Sequence, residues 1–352
     1  MASMVVPYRH DMGGHCGSGA LRDLTEWAGI RWGDDTPDEG IVFALGGALD
    51  FSYVRSAHLR PPIYLVGRSA DLEDEYLTRL GARFECRSTD DPDLGWKWVT
   101  EHIDAGTPVM VWTDIAELPY LRTRLSMSRH DVVIVGYDDD EELAFVVDND
   151  RDTPQAVPYE NLRKARASTG FPVPTRHTTY VVEWPGAAPD LGNAARSAFR
   201  RSADAMQGSF VSAPITEGPD CEIQVRGLSG VSTFVEDLKR WPEIFDDDTL
   251  DGALFALSAF VEKAGTGGGL FRDLQARGCR RVAEELSFEP AFRAAEAAKT
   301  ASELWTAVAH TAYERGADPR RRASGAASLA AQLPPAERRL AQALREAGNL
   351  LL

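Results

Sequence analysis

Residues 10–21 read HDMGGHCGSGAL, which places Cys16 directly after a glycine-rich turn. Beyond it, Leu21, Leu24 and Trp27 recur at the spacing of an amphipathic helix. Cys16 is therefore expected at the first position of a helix. The positive end of a helix dipole favours thiolate over thiol. The stretch predicts an activated cysteine.

Two apolar runs further along the chain carry a histidine and an aspartate. Residues 129–137 read RHDVVIVGY and residues 144–149 read AFVVDN. Each run predicts a strand, and the acidic run 138–142 predicts a solvated hairpin turn between them. Positions 130 and 148 are equidistant from residue 139. We therefore expect His130 and Asp148 to be cross-strand neighbours.

The order Cys16, His130, Asp148 is the order that an acyl-transfer triad requires. In it the cysteine is the nucleophile, the histidine moves the proton, and the carboxylate orients the imidazole. Each residue alone has an ordinary interpretation: a buried core cysteine, a hydrogen-bonded structural histidine and a turn-capping aspartate. The joint pattern favours the catalytic interpretation.

Composition narrows the class of protein. A chain of 352 residues suggests about two domains. The net charge of −16 argues against nucleic-acid binding and against docking on an anionic membrane. The sequence contains neither an apolar stretch of about 20 residues nor a signal peptide, so a cytoplasmic protein is expected.

The four cysteines are widely scattered, which predicts free thiols and no metal site. Cys86 and Cys279 are expected to be buried.

A Pro/Gly/Ala stretch at 184–189 marks the predicted domain boundary. Residues 1–186 alternate short strands and helices, which predicts an α+β domain with an antiparallel sheet. Residues 187–352 are expected to form an all-α domain packed on the active-site domain. Apolar spacing of three and four residues predicts its helices at 228–241, 248–264, 268–286, 295–315 and 335–347.

The triad pattern resembles the papain-like cysteine peptidase superfamily, in particular peptidases that process bacteriocin leaders with a Cys–His–Asp triad. Those enzymes have a glutamine six residues before the cysteine. In this chain that position is His10. The departure favours a reaction other than proteolysis.

The chain is also similar to the butirosin biosynthesis protein H family over most of its length. The resemblance rests on residues 15–21 (HCGSGAL), 43–53 (FALGGALDFSY), 227–242 and 265–272 (GTGGGLFR), the last two lying in a helical domain of unknown function. It implies a papain-like N-terminal domain. It also implies an N-acyltransferase of antibiotic-like biosynthesis, in which an aminoacyl group passes from the phosphopantetheine arm of an acyl carrier protein to an amine of an aminoglycoside. The implied partners are the carrier protein and a small-molecule amine, with no bound cofactor, and a homo-oligomer is left open.

Further residues have weaker roles in this interpretation. His10 is a candidate oxyanion donor or a turn residue, and Gly47 allows close backbone approach or forms a turn. Tyr53, Asp114 and Tyr120 are pocket residues by resemblance. The glycines at 265–269 form a helix–helix turn or line the acceptor pocket. Carrier docking or plain solvated surface is expected for two basic clusters: Arg122, Arg124 and Arg129, and Arg163, Lys164 and Arg166.

Three functions remain open at the level of the sequence. The first is the acyltransferase with Cys16 as the acyl carrier. The second is a cysteine peptidase or amidase of the same fold, in which water replaces the amine. The third is a non-catalytic binding protein that retains the fold.

Overall fold

The computed structural model describes residues 3–33, 36–123, 126–208, 221–314 and 316–351. The structure is mixed α+β, as expected, and divides into two compact units. The first unit comprises Met1–Pro37 and Leu80–Ala188, and the second comprises Asp38–Arg79 and Pro189–Leu352.

The strands are numbered in chain order over the described residues. They are β1 (Ser3–Val5), β2 (Leu49–Arg55), β3 (Ile63–Arg68), β4 (Arg83–Arg87), β5 (Val109–Thr113), β6 (His130–Asp138), β7 (Leu143–Val147), β8 (Gln155–Pro158), β9 (Thr179–Glu183) and β10 (Ile223–Arg226).

The α-helices of the same residues are numbered likewise. They are α1 (Cys16–Trp27), α2 (Glu39–Leu45), α3 (Leu72–Leu80), α4 (Pro92–Asp104), α5 (Tyr159–Arg166), α6 (Leu191–Met206), α7 (Gly227–Ile244), α8 (Asp247–Glu262), α9 (Arg272–Leu286), α10 (Glu289–Ala312), α11 (Pro319–Ala330) and α12 (Leu333–Leu350).

One antiparallel sheet of seven described strands forms the centre of the first unit. Its order is β4-β9-β5-β6-β7-β8, and β1 pairs with β6. β6 is buried along most of its length because its sequence is a nearly continuous apolar run. Val132 and Ile134 of this strand share a core with Val99 of α4 and Leu162 of α5. This packing fixes the start of β6, where His130 lies.

The predicted hairpin between β6 and β7 is present, but its register differs from the prediction. Tyr137 pairs with Ala144 near the turn, and Val133 pairs with Val147 beyond a bulge between Ile134 and Gly136, so the hairpin is centred beyond residue 139. Asp148 lies beyond the Val133–Val147 pair, and His130 is paired with Thr113 of β5. The expected cross-strand pairing of His130 with Asp148 is therefore wrong.

The second unit combines most of the helices with a three-stranded sheet. Its strand order is β10-β2-β3, so the C-terminal part is largely but not entirely helical, and the expected all-α domain requires correction. Residues 38–79, predicted to belong to the first domain, are part of this unit. Phe43 of α2 stacks on Phe271 with ring centroids 5.5 Å apart, and Gly67 of β3 accepts a hydrogen bond from Arg272 at 3.0 Å. Such long-range contacts leave no trace in local spacing.

The glycine-rich segment 265–269 forms the turn between α8 and α9. Gly269 has a φ of +53°, and a Cβ there would lie 2.2 Å from Ser302 Oγ, so only glycine fits. The neighbouring Arg272 is fully buried, and its Nε donates to Glu337 Oε1 at 2.8 Å. Trp305 Nε1 donates to the same oxygen at 2.6 Å. The motif therefore holds α9, α10 and α12 together.

Within the described residues, no helix is both long and apolar enough to cross a bilayer, and no group of three or more His, Cys, Asp or Glu side chains is arranged to hold a metal ion. Cys279 is buried, as expected. Cys86 is exposed, contrary to expectation, because β4 is an edge strand of the sheet.

Candidate active site

Cys16 is the first residue of α1, the position that the sequence predicts. The preceding His15 is the N-cap, and its side chain accepts a hydrogen bond from the backbone N–H of Ser18 at 3.1 Å. This cap fixes the first turn of the helix. The thiol is half-buried at the positive end of the helix dipole.

His130 and Asp148 form a hydrogen-bonded pair in spite of the shifted register. His130 Nε2 donates to Asp148 Oδ2 at 2.8 Å, since an ionised carboxylate can only accept. Asp148 is buried, with 1% of its surface exposed. Burial by itself would raise the pKa of Asp148, but the charge and hydrogen bond of His130 hold the pKa below its usual value.

His130 is also near Cys16, because the charge and hydrogen-bonding capacity of the sulfur contribute to the pKa of the imidazole. Because Nε2 is committed to Asp148, Nδ1 is the ring nitrogen left for the sulfur. Burial by itself would lower the pKa of His130. The charge and hydrogen bond of Asp148, followed by those of Cys16, instead raise that pKa well above its ordinary value. The arrangement favours an imidazolium beside the sulfur.

Tyr120 is the predicted pocket residue that the structure brings to the triad. Its hydroxyl donates to Asp148 Oδ2 at 2.7 Å, so the same oxygen accepts from His130 and from Tyr120. Burial and the adjacent charge of Asp148 raise the pKa of Tyr120 far above its usual value, which keeps the hydroxyl a donor. Arg151 covers the Tyr120 ring at 5.7 Å and donates to its carbonyl at 2.8 Å. Tyr120 is therefore a positioning residue for Asp148.

The loop before Cys16 is tied to the segment after Asp148. The backbone N–H of Gly13 donates to the carbonyl of Asn149 at 3.0 Å, and Asn149 Nδ2 donates to the carbonyl of Gly13 at 3.1 Å. These reciprocal bonds fix the distance between the two ends of the candidate triad.

His10 lies in this loop and has both ring nitrogens engaged. Nδ1 donates to Asp23 Oδ2 at 2.6 Å, and Nε2 donates to the Arg151 carbonyl at 2.6 Å. Two pure acceptors require two N–H donors, so the ring is an imidazolium. Burial by itself would lower the pKa of His10, but the bonds to Asp23 and Arg151 raise it. His10 has no N–H left for an oxyanion, and its predicted role as an oxyanion donor is not supported.

Comparison with protein families gives two matches that together span most of the chain. Residues 15–149 match the N-terminal domain of butirosin biosynthesis protein H, and residues 160–344 match a domain of unknown function (DUF4872). The chain thus carries an N-terminal domain of butirosin biosynthesis protein H, and with its C-terminal part it belongs to the DUF4872 family. A comparison with curated proteins gave no match.

The butirosin biosynthesis protein H domain of this chain begins one residue before Cys16 and ends one residue after Asp148. The matched segment thus contains all three residues of the candidate triad. The resemblance that the sequence predicts is confirmed for both domains.

The remaining predicted pocket residues have structural contacts. Tyr53 is buried in the second unit and donates to Asp237 Oδ2 at 2.6 Å. Gly47 lies two residues after the end of α2 with a φ of +59°, and a Cβ there would lie 3.0 Å from the Ala198 carbonyl oxygen. Asp114, in the first unit, accepts from Ser126 and Ser168 at 2.6 Å each. These contacts give the three residues a role in the fold.

The two basic clusters, expected either to dock a carrier protein or to be solvated surface, include side chains with other contacts. Arg124 lies outside the described residues, and the Arg129 guanidinium lies 4.9 Å from the centre of the Trp112 ring. Arg166 is buried, and Lys164 pairs with Glu160 at 2.6 Å. Arg166 is therefore no part of a docking surface.

The structure adds a carboxylate that the sequence interpretation missed. Asp131, the residue after His130, places Oδ2 at 3.9 Å from Cys16 Sγ and is 1% exposed. Alternation along a strand would have placed it on the face opposite His130. The position of Cys16 beside the end of β6 brings the thiol within reach of both side chains, which only the packing of α1 on β6 reveals.

Proposed function

We propose that this protein is a thiol-dependent N-acyltransferase of specialised-metabolite biosynthesis, with a papain-like N-terminal domain. The observation that carries the proposal is the hydrogen-bonded pair of His130 and Asp148 near the Cys16 thiol, which is the first residue of α1. The match to the N-terminal domain of butirosin biosynthesis protein H supports a role in the assembly of an antibiotic-like product. The proposed donor is an acyl group held as a thioester on the phosphopantetheine arm of an acyl carrier protein.

In the proposed first half-reaction the Cys16 thiolate attacks the thioester carbonyl. A new thioester forms on Cys16, the bond to the donor sulfur breaks, and His130 gives its proton to the departing thiolate. One thioester replaces another, so the step is close to isoenergetic. The backbone N–H of Cys16, at the start of α1, is the proposed donor to the oxyanion.

In the second half-reaction an amine attacks the acyl-enzyme. His130, now neutral, accepts the proton of the attacking nitrogen, and the Cys16 sulfur leaves as thiolate with an amide as product. Asp148, held by Tyr120, stabilises the imidazolium that returns. A peptidase or amidase would run the same step with water, so exclusion of water decides between the functions.

The decisive experiment measures the mass of the intact protein after incubation with acyl- and aminoacyl-loaded carrier proteins. We expect an adduct on the wild type and on Cys86→Ala, a matched control at an exposed cysteine, and none on Cys16→Ala. A primary amine should discharge the adduct as an amide. Rapid loss to water would support the hydrolase instead. Absence of an adduct with every donor would refute the proposed function.

A further inference from the structure

A solvent-open groove of about 550 Å³ lies in the second unit, between residues of α3 and α6. Its walls carry four guanidinium groups, those of Arg79, Arg196, Arg200 and Arg201, and we call it the arginine groove. In a chain of net charge −16, such a concentration of arginine is a distinct local feature.

The lining residues of α6 form one stripe of the helix. They occupy positions 193, 196, 197, 200, 201 and 204, at the three- and four-residue spacing of one helical face. The opposite face is apolar and buried, with Ala195, Phe199 and Met206 fully covered. Because the apolar face of α6 packs against the rest of the second unit, the arginine stripe faces outward.

Two of the four arginines are held by acidic neighbours. Arg79 pairs with Glu75 at 2.8 Å, and Arg201 pairs with Asp71 and with Glu75. The side chains of Arg79 and Arg201 are nearly buried, so these two arginines form a fixed floor.

The other two arginines have no carboxylate partner within the described part of the chain. The Arg196 side chain forms no hydrogen bond or ion pair with these residues, and its Nε is buried without a partner. Arg200 donates only to the amide oxygen of Asn349, at 3.2 Å. Asp204, the nearest acid on the same stripe, pairs with Arg345 at 2.6 Å. The groove thus presents two uncompensated guanidinium groups, which suit carboxylates or phosphates.

We infer that the arginine groove docks the acidic surface of the acyl carrier protein that delivers the donor, an inference that rests on the proposed function. The stripe from position 193 to position 204 is about 16 Å long at 1.5 Å per residue, which matches a protein surface better than a single phosphate. An acidic partner is repelled by a chain of charge −16 except where cations are concentrated. The arginine groove is such a concentration of cations.

The test compares three donors of one acyl group in the acylation of Cys16: the carrier-protein thioester, the free phosphopantetheine thioester and the N-acetylcysteamine thioester. The groove variant is R196E/R200E. The control is R338E/R339E, which makes the same charge change at two exposed arginines of α12 outside the groove. Thermal unfolding followed by circular dichroism shows whether the charge reversal in R196E/R200E impairs folding. If it does, the neutral variant R196Q/R200Q replaces it.

We expect kcat/KM with the carrier protein to fall by about tenfold or more in R196E/R200E, because reversal of a docking charge slows association. The two small donors should react within about twofold of wild type, and the control should keep full activity. Equal losses in the groove and control variants, or unchanged use of the carrier protein, would overturn the inference. A loss with free phosphopantetheine as large as that with the carrier would also overturn it, since the groove would then bind the phosphate. Failure of the wild type with all three donors would instead overturn the proposed function.

Discussion

At the scale of single residues, the site is defined by how each polar atom is satisfied. Asp148 Oδ2 accepts from His130 and Tyr120, and the nearby Cys16 contributes to the raised pKa of His130. His10, six residues before the thiol, uses both nitrogens in an ion pair and a backbone contact. The distinction between a proton-transfer residue and a structural one follows from these partners and not from residue type.

The titration of His130 tests the role of Asp148. In a Cys16→Ala background, NMR of labelled histidine should give a midpoint above 6.5, because the charge and hydrogen bond of Asp148 outweigh burial. Adding Asp148→Asn removes both contributions and leaves burial, so the midpoint should fall by about 1 to 3 pH units. An unchanged midpoint would contradict the assignment of Asp148 as the partner that sets the pKa.

The His10–Asp23 pair predicts a pH-dependent stability. The pKa of His10 is raised on folding, so the stabilisation is complete below 6.5 and is lost as pH rises through the folded-state pKa. His10→Gln should lower the free energy of unfolding by about 1.5–3 kcal/mol at pH 5.5, the range for hydrogen bonds to charged groups. The difference should shrink toward alkaline pH in urea unfolding curves. A difference that is constant with pH would show that His10 is not charged in the folded state.

At the scale of elements, close helix contacts in the second unit depend on glycines, which have no side chain. α2 and α9 cross at Gly278, where an added Cβ would lie 2.1 Å from the carbonyl oxygen of Gly40. The crossing brings Phe43 and Phe271 into their stacked arrangement. Periodicity predicts that each helix exists, but it does not predict that the two backbones meet.

Gly278→Ala should therefore destabilise the protein by about 1–3 kcal/mol, the cost of overpacking a close contact. Gly252 in α8 is the matched control, since a Cβ there has no neighbour within 4 Å. Gly252→Ala should leave stability unchanged or raise it by about 0.5–1 kcal/mol, because alanine favours the helix. Thermal unfolding measures both, and equal effects of the two substitutions would contradict the close crossing.

At the scale of the whole molecule, the chain leaves the first unit at Asp38 and returns at Leu80. The chain enters the second unit again at 188–189, and the predicted domain boundary lies near residue 186. The sequence did not predict the excursion of residues 38–79 into the second unit. β2 is the central strand of the sheet in the second unit, between β10 and β3. The second unit is thus built from two separate segments.

Residues 189–352 expressed alone should fail to fold cooperatively, because β10 would lose its strand partner and Phe271 its stacking partner. Near-ultraviolet circular dichroism and urea unfolding would show a broad transition. Residues 38–79 joined to 189–352 by a flexible linker should restore a sharp one. A cooperative transition of residues 189–352 alone would show that residues 38–79 are dispensable for folding of the second unit.

Sequence alone predicted the features that local chemistry dictates. The helix start at Cys16 follows from the glycine turn and the apolar spacing, and β6 follows from its apolar run. The family resemblance follows from short motifs that the family comparison confirms. The three residues of the candidate triad were also predicted from the sequence, because the proposed nucleophile, base and carboxylate each lie beside a recognisable element.

Tertiary structure decided what depends on contacts between distant residues. The β6–β7 hairpin is centred beyond residue 139, so Asp148 is out of register with His130, and packing alone placed Asp131 beside the thiol. The partners of His10 and the excursion of residues 38–79 were likewise set by long-range contacts. The physical reason is that local patterns specify which face of an element is buried, whereas the partner that buries it is selected by the whole fold.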